Sequence, residues 1–163
     1  MARVHRAVPG ARLLFVGAPP ARIVSIGEKA GARGLAGVVT VLGHREDVPE
    51  ILAGSDLVVD ASYAGLGLTG SIREALAVET PVVATDLEGM PELIADGETG
   101  LLVPPRNPDA LAQAVLRMLE HPARAKAMAR AGRKRVEAQF SLVTKLDRTE
   151  ALYTRLLAAR KRA

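Results

Sequence analysis

The sequence contains no cysteine and no tryptophan, and its aromatic side chains are confined to Phe15, Tyr63, Phe140 and Tyr153. Without cysteine there can be no disulfide, iron–sulfur cluster or thiolate zinc site, and the composition fits the cytoplasm, the expected location. So few aromatics leave little to stack on bases or sugars, and they require a core built from Leu, Val, Ile and Ala. Long apolar runs are missing as well: no stretch approaches the ~20 residues of a membrane span. At the N-terminus, Pro9 and Arg12 interrupt a segment that weakly imitates a secretion signal. His5 and His121 have no partners at metal-ligand spacing, and no Ser-His-Asp arrangement is visible. Repeats and low-complexity linkers are lacking too, so residues 1–163 read as a single domain.

Hydrophobic residues make up 48% of the 163 positions and charged residues 25%, enough to build a core and inconsistent with disorder. The net charge of +4 is unevenly spread. Residues 121–163 carry 12 Lys/Arg against 3 Asp/Glu, and residues 1–120 carry 10 against 15. The basic C-terminal part can be read as meeting nucleic acid, or as a peripheral contact with an anionic membrane. Solvated helix faces are the favoured reading, because no nucleic-acid motif and no stacking aromatics accompany the charge. No nucleic-acid partner is expected.

Short apolar runs alternate with helical patterns. The runs are 12–17 (RLLFVG), 38–43 (VVTVLG), 56–62 (DLVVDAS), 81–85 (PVVAT) and 100–104 (GLLVP). Each is continuous, as in strands buried on both faces. Helices are predicted near 20–31, 46–53, 71–79 and 90–95. From 107 onward the chain reads as helix: Asn107 as N-cap, Pro108 in the first turn, a restart at Pro122, and Ser141 capping a last helix with Leu142, Leu146, Tyr153 and Leu156 on one side. Strand–helix alternation predicts an α/β fold, a Rossmann-like parallel sheet of about five strands with helices on both faces and a helical C-terminus.

The most unusual local feature is GLGLTG, with glycines at 65, 67 and 70, between the third apolar run and a helix. Glycines let the backbone approach a ligand closely, and a helix N-terminus with its free N–H groups suits a phosphate. The spacing matches G-x-G-x-x-G, but it follows the third strand rather than the first. No acidic residue stands about 20 positions on; Asp86 comes 16 after Gly70. A dinucleotide fold is therefore poorly supported. In the helix that follows, Ser71-x-x-Glu74 has the spacing of a capping box, in which Glu74 would reach back to the Ser71 amide. Arg73 beside it can face either a phosphate or solvent.

The segment REALAVETPVVATDLEGMPELIADGETGLLVPPRNPDALAQAVLRML, with GLGLTG ahead of it and PGARLLFVG, VVTVLG and DLVVDAS upstream, resembles the C-terminal, donor-binding domain of group 1 (family 4-like) glycosyltransferases of the GT-B architecture. The resemblance covers nearly the whole chain. It implies a retaining transfer of a sugar from a nucleoside diphosphate sugar, with no metal or bound cofactor. It also implies that Glu74 binds the donor ribose, and a carboxylate can accept from two adjacent hydroxyls at once. Backbone amides of Gly67, Leu68, Thr69 and Gly70 would lie against the sugar and diphosphate, with Arg73 nearby and His44 or Arg45 in the base-binding loop.

The chain also departs from the family pattern. The family places a second glutamate eight positions before the one matching Glu74; here that position is Leu66, or Ala64 when the glycines are aligned. The family's first strand, and the Arg and Lys that hold the diphosphate, have no counterpart, since the match begins inside the helix near ARVHRAVPGA. The N-terminal acceptor domain has none either. The expectation is a donor domain, incomplete by itself, whose last helix exposes an apolar face for an acceptor domain on another chain or for self-association. The alternative is a degenerate, non-catalytic interaction module or one half of a split enzyme.

Overall fold

A computed structural model describes residues 1–64 and 70–160. The element order is α1 (Ala2–Ala7), β1 (Leu13–Phe15), α2 (Pro20–Gly31), β2 (Val39–Val41), α3 (Val48–Ala53), β3 (Val58–Asp60), α4 (Gly70–Ala77), β4 (Val82–Thr85), α5 (Met90–Leu93), β5 (Leu101–Val103), α6 (Pro108–Glu120), α7 (Pro122–Phe140) and α8 (Leu142–Arg160). All five predicted strands are present inside their apolar runs. Helices α2, α3, α5, α6 and α7 carry proline in their first turn, where its missing N–H costs no intrahelical bond. Asn107 caps α6, its side chain accepting from the Ala110 amide at 3.0 Å. Ser141 caps α8, its hydroxyl accepting from the Thr144 amide at 3.2 Å.

Every strand pairing is parallel, but the strands form two sheets. β1 pairs with β2, and β3–β4–β5 form the second sheet. The middle strand β4 is buried along its length and shows how the layers are built. Val82 and Ala84 join a cluster with Ile72 and Leu76 of α4, Leu52 of α3 and Leu93 of α5. Val83, between them, points the other way, into a cluster with Ala114 and Met118 of α6 and Met128 of α7. Strand alternation thus places α3 and α4 on one face and α6 on the other. α1 packs on α6, and an Arg3–Asp109 ion pair spans the two helices. On the opposite face the Thr80 hydroxyl donates to the Leu52 carbonyl at 2.7 Å, tying the start of β4 to α3.

α7 folds back over α4 and touches it closely. A Cβ on Gly132 would come 2.5 Å from a Leu76 methyl and 3.1 Å from the Thr99 carbonyl. Helix propensity alone would favour alanine at Gly132 by about 1 kcal/mol. Overpacking against a fully buried leucine outweighs that gain, so Gly132→Ala is expected to lower stability by about 1–2 kcal/mol. Urea unfolding followed by circular dichroism checks this; an unchanged or raised midpoint would contradict the packing described. Arg135 locks α7 to α5, donating two hydrogen bonds to the Glu92 carbonyl at 2.7 and 3.2 Å.

α8 is different. None of its residues is buried, and Leu142, Val143, Leu146, Leu152, Tyr153, Leu156 and Leu157 are all exposed. The expected apolar face is present and no described part of the chain covers it. Among the described residues no helix is long and apolar enough to cross a membrane.

Candidate donor-binding edge

Parallel sheets gather the carboxyl ends of their strands on one side, and ligands in open α/β sheets bind there. Five loops leave the carboxyl ends of the strands. The loops after β1 and β2 are joined, because Gly17 donates to the Gly43 carbonyl at 3.0 Å and Ala18 to Leu42 at 3.3 Å. Gly17 adopts φ +80°, a left-handed backbone suited to glycine. The loop after β3 begins with an Asx turn, the Ser62 amide donating to Asp60 Oδ1 at 2.9 Å, and leads into the glycine-rich stretch. Gly67, Leu68 and Thr69 lie outside the described residues.

Gly70, Arg73 and Glu74 fall on α4, which leaves the sheet at the carboxyl end of β3. The capping-box expectation is not met. The helix already includes Gly70 and Ser71, so Ser71 lies within the first turn rather than ahead of it, and among the described residues the Glu74 carboxylate accepts no hydrogen bond. The carboxylate instead turns back toward the N-terminus of α4, with Oε1 3.5 Å from where a Cβ on Gly70 would sit. Glu74 and Arg73 are both exposed. An acidic group without a hydrogen-bond partner among the described residues therefore stands over a glycine at the start of α4.

His44 is exposed in the loop after β2. Its neighbour Arg45 is already engaged, donating two bonds to Asp47 at 2.7 and 2.6 Å. That bond holds the Asp47 carboxyl below its ordinary pKa and raises Arg45 above its own. Both groups are exposed, so the pair contributes little to stability, but it removes Arg45 from the free cations of this loop.

Arg106 is a further charged residue at this edge that no sequence motif marked. It lies in the loop after β5 with φ +57°, and its guanidinium carbon is 5.6 Å from the centre of the Tyr63 ring, just ahead of the glycine-rich stretch. Cation–π contacts at exposed sites are worth about 0.5–1 kcal/mol. The signal available in the sequence was weak: an arginine between two prolines and an asparagine, with a partner far away along the chain.

The architecture defines a Rossmann-like α/β domain in which α4 starts at the carboxyl end of β3 with the Glu74 carboxylate turned back over Gly70. A family model for group 1 glycosyl transferases matches residues 1–121. The alpha-D-kanosaminyltransferase of Streptomyces kanamyceticus is 34% identical over 87% of this chain and 37% of that protein. Among solved structures, sucrose-phosphate synthase from Thermosynechococcus elongatus superposes with TM-score 0.87 at 31% identity, over 97% of this chain and 41% of the other. The HepE protein of Anabaena, solved with UDP and with UDP-glucose, superposes with TM-score 0.84 at 26% and 25% identity, over 93% of this chain and 43% of HepE. The chain belongs to the group 1 glycosyltransferases and has the fold of one GT-B domain. It spans about two fifths of the length of these relatives.

Proposed function

We propose that this chain binds the nucleoside diphosphate part of a sugar donor at its carboxyl edge, and that it serves a retaining glycosyl transfer. The observation that carries the reading is the Glu74 carboxylate, which accepts no hydrogen bond among the described residues and is turned back over Gly70 at the start of α4. A ribose offers two adjacent hydroxyls, and one carboxylate can accept from both. The diphosphate would lie against the backbone amides of Gly67, Leu68, Thr69 and Gly70, where the helix dipole favours negative charge. Arg73 and His44 would serve as outer contacts to the phosphate and the base. Holding the diphosphate in this way needs no metal or bound cofactor. The UDP and UDP-glucose complexes of HepE support a nucleotide-sugar ligand.

Calorimetric titration of the chain with UDP, GDP and ADP tests the reading. Saturable binding of one of them, with the other two at least about tenfold weaker, is the expected outcome; equal, unsaturable heats for all three would sink it.

A second reading is a module that works by joining another polypeptide. Two observations favour it: the apolar face of α8, which no described residue covers, and the division of the strands into two sheets. An acceptor domain on another chain would satisfy both readings.

A further inference from the structure

α5 is a helix of four residues, too short to hold its own place. It follows the loop after β4, in which Gly89 adopts φ +88°. Two backbone bonds close it: the Glu92 amide donates to the Gly89 carbonyl at 3.1 Å, and the Ile94 amide to the Met90 carbonyl at 2.8 Å. The Glu92 carbonyl, near its C-terminal end, takes no backbone donor among the described residues. Arg135 of α7 supplies the donors instead, from Nε at 3.2 Å and from Nη2 at 2.7 Å. A guanidinium suits this place, because the last carbonyls of a helix lack intrahelical donors and a charged donor makes the stronger bond.

Arg135 is itself held in register. Its neighbour Val136 is buried in one cluster with Ile72 and Leu76 of α4 and with Leu93 and Ile94 at the end of α5, and Gly132, one turn earlier, meets Leu76. One helix therefore grips α4 through apolar packing and α5 through a guanidinium. α4 carries Glu74 and starts at the carboxyl end of β3. The end of β4 lies beside it, since the Thr85 hydroxyl donates to the Asp60 carbonyl at 3.2 Å. An open depression of about 530 Å³ runs along the segment that leaves β4, lined by Asp86, Leu87, Glu88, Gly89, Pro91 and Glu92. Glu92, whose carbonyl Arg135 holds, is thus part of its wall.

We propose that Arg135 is a positioning residue for the donor edge. It acts through the Glu92 carbonyl: the bond sets α5, and with it the loop at residues 86–89, at one place relative to α4, so that the loop and the start of α4 meet a nucleoside diphosphate together. The inference rests on the donor-binding reading given above. Without the guanidinium, α5 keeps its buried anchors Met90, Leu93 and Ile94, but its C-terminal carbonyl is left without a donor and the loop samples other placements. Affinity then falls by the fraction of molecules in which the loop is in place, a loss of preorganisation rather than of a contact to the ligand. The neighbouring Arg133 cannot take over, because it is paired with Glu137 and Glu79.

Calorimetry with UDP, GDP and ADP on the whole 163-residue chain, joined to amide hydrogen exchange read by NMR, tests this. Arg135→Ala is expected to bind the preferred nucleotide about tenfold more weakly. Its Glu92 and Ile94 amides are expected to exchange about tenfold faster, with the Val58 amide of β3 unchanged. Arg135→Lys keeps a charged donor and should recover most of the affinity; Arg135→Gln keeps a neutral one and should fall between lysine and alanine. If Arg135→Ala does not fold, the order of lysine over glutamine decides. Met118→Ala is the control for stability alone: it truncates a buried side chain on the opposite face of β4, and should lower the unfolding midpoint while leaving the affinity of the folded chain unchanged. Parent affinity in Arg135→Ala would overturn this inference and leave the donor reading standing. A loss of affinity that Met118→Ala shares, or that lysine does not relieve, would also overturn it. Failure of the parent chain to bind any of the three nucleotides would overturn the donor reading and this inference with it.

Discussion

Glu74→Ala is expected to weaken binding of the preferred nucleoside diphosphate by about 10- to 150-fold, the equivalent of losing hydrogen bonds to a charged group worth about 1.5–3 kcal/mol. The sign and the size follow from the geometry. The carboxylate makes no hydrogen bond to the described protein, so nothing internal is lost with it, and the residue is exposed on α4. Stability should therefore stay within about 0.5 kcal/mol of the parent chain. Glu74→Gln keeps the shape and one acceptor oxygen but loses the charge, and should fall between the two. Calorimetry and thermal melts on the three proteins check this. If Glu74→Ala unfolds the chain, the residue is structural; if it leaves affinity intact, the ribose lies elsewhere.

The second large effect is on the core beneath that site. Leu76→Ala is expected to cost about 2–5 kcal/mol, the range for removing a large aliphatic side chain from a well-packed interior. Leu76 is fully buried, it packs in the cluster with Ile72, Val82, Leu93 and Val136, and its methyl meets the closest approach of α7 at Gly132. Small domains are stable by about 5–15 kcal/mol in total, so this one change removes a large share. Because α4 carries both Leu76 and Glu74, nucleotide binding should weaken only as the folded fraction falls. Val24→Ala, at a position 63% exposed, is the control and should stay within about 0.5 kcal/mol. Denaturant titrations of the two variants distinguish them; equal midpoints would mean that α4 is not packed as described.

Local signals in the sequence carried much of this structure. Continuous apolar runs such as PVVAT and GLLVP became β4 and β5 because a strand between two helical layers needs apolar residues on both faces. Asn107, Pro108, Pro122 and Ser141 marked helix starts because capping is decided within a few residues. The capping box failed for a related reason. Its spacing is present, but α4 already includes Gly70 and Ser71, and where a helix begins depends on the loop entering it rather than on the Ser–Glu spacing alone.

The division into two sheets was legible only in part. Pairing between strands is a long-range property, and nothing within the β1 or β3 runs announces that they fall in different sheets. The Arg106–Tyr63 stack was invisible for the same reason. For the candidate site, the sequence pointed to the loop after β3 and the start of α4, where the fold places Gly70, Arg73 and Glu74. The direction taken by the Glu74 side chain needed the fold.

The central claim is that the carboxyl edge beside α4 holds the nucleotide. The most direct measurement is an amide chemical-shift map of the isotope-labelled chain titrated with UDP. The account predicts saturable shifts centred on Gly70–Glu74, extending to the loops after β1, β2 and β5 around Gly17, His44 and Arg106, with α8 unchanged. Shifts centred on α8 or on the opposite ends of the strands, with Gly70–Glu74 silent at saturation, would contradict it.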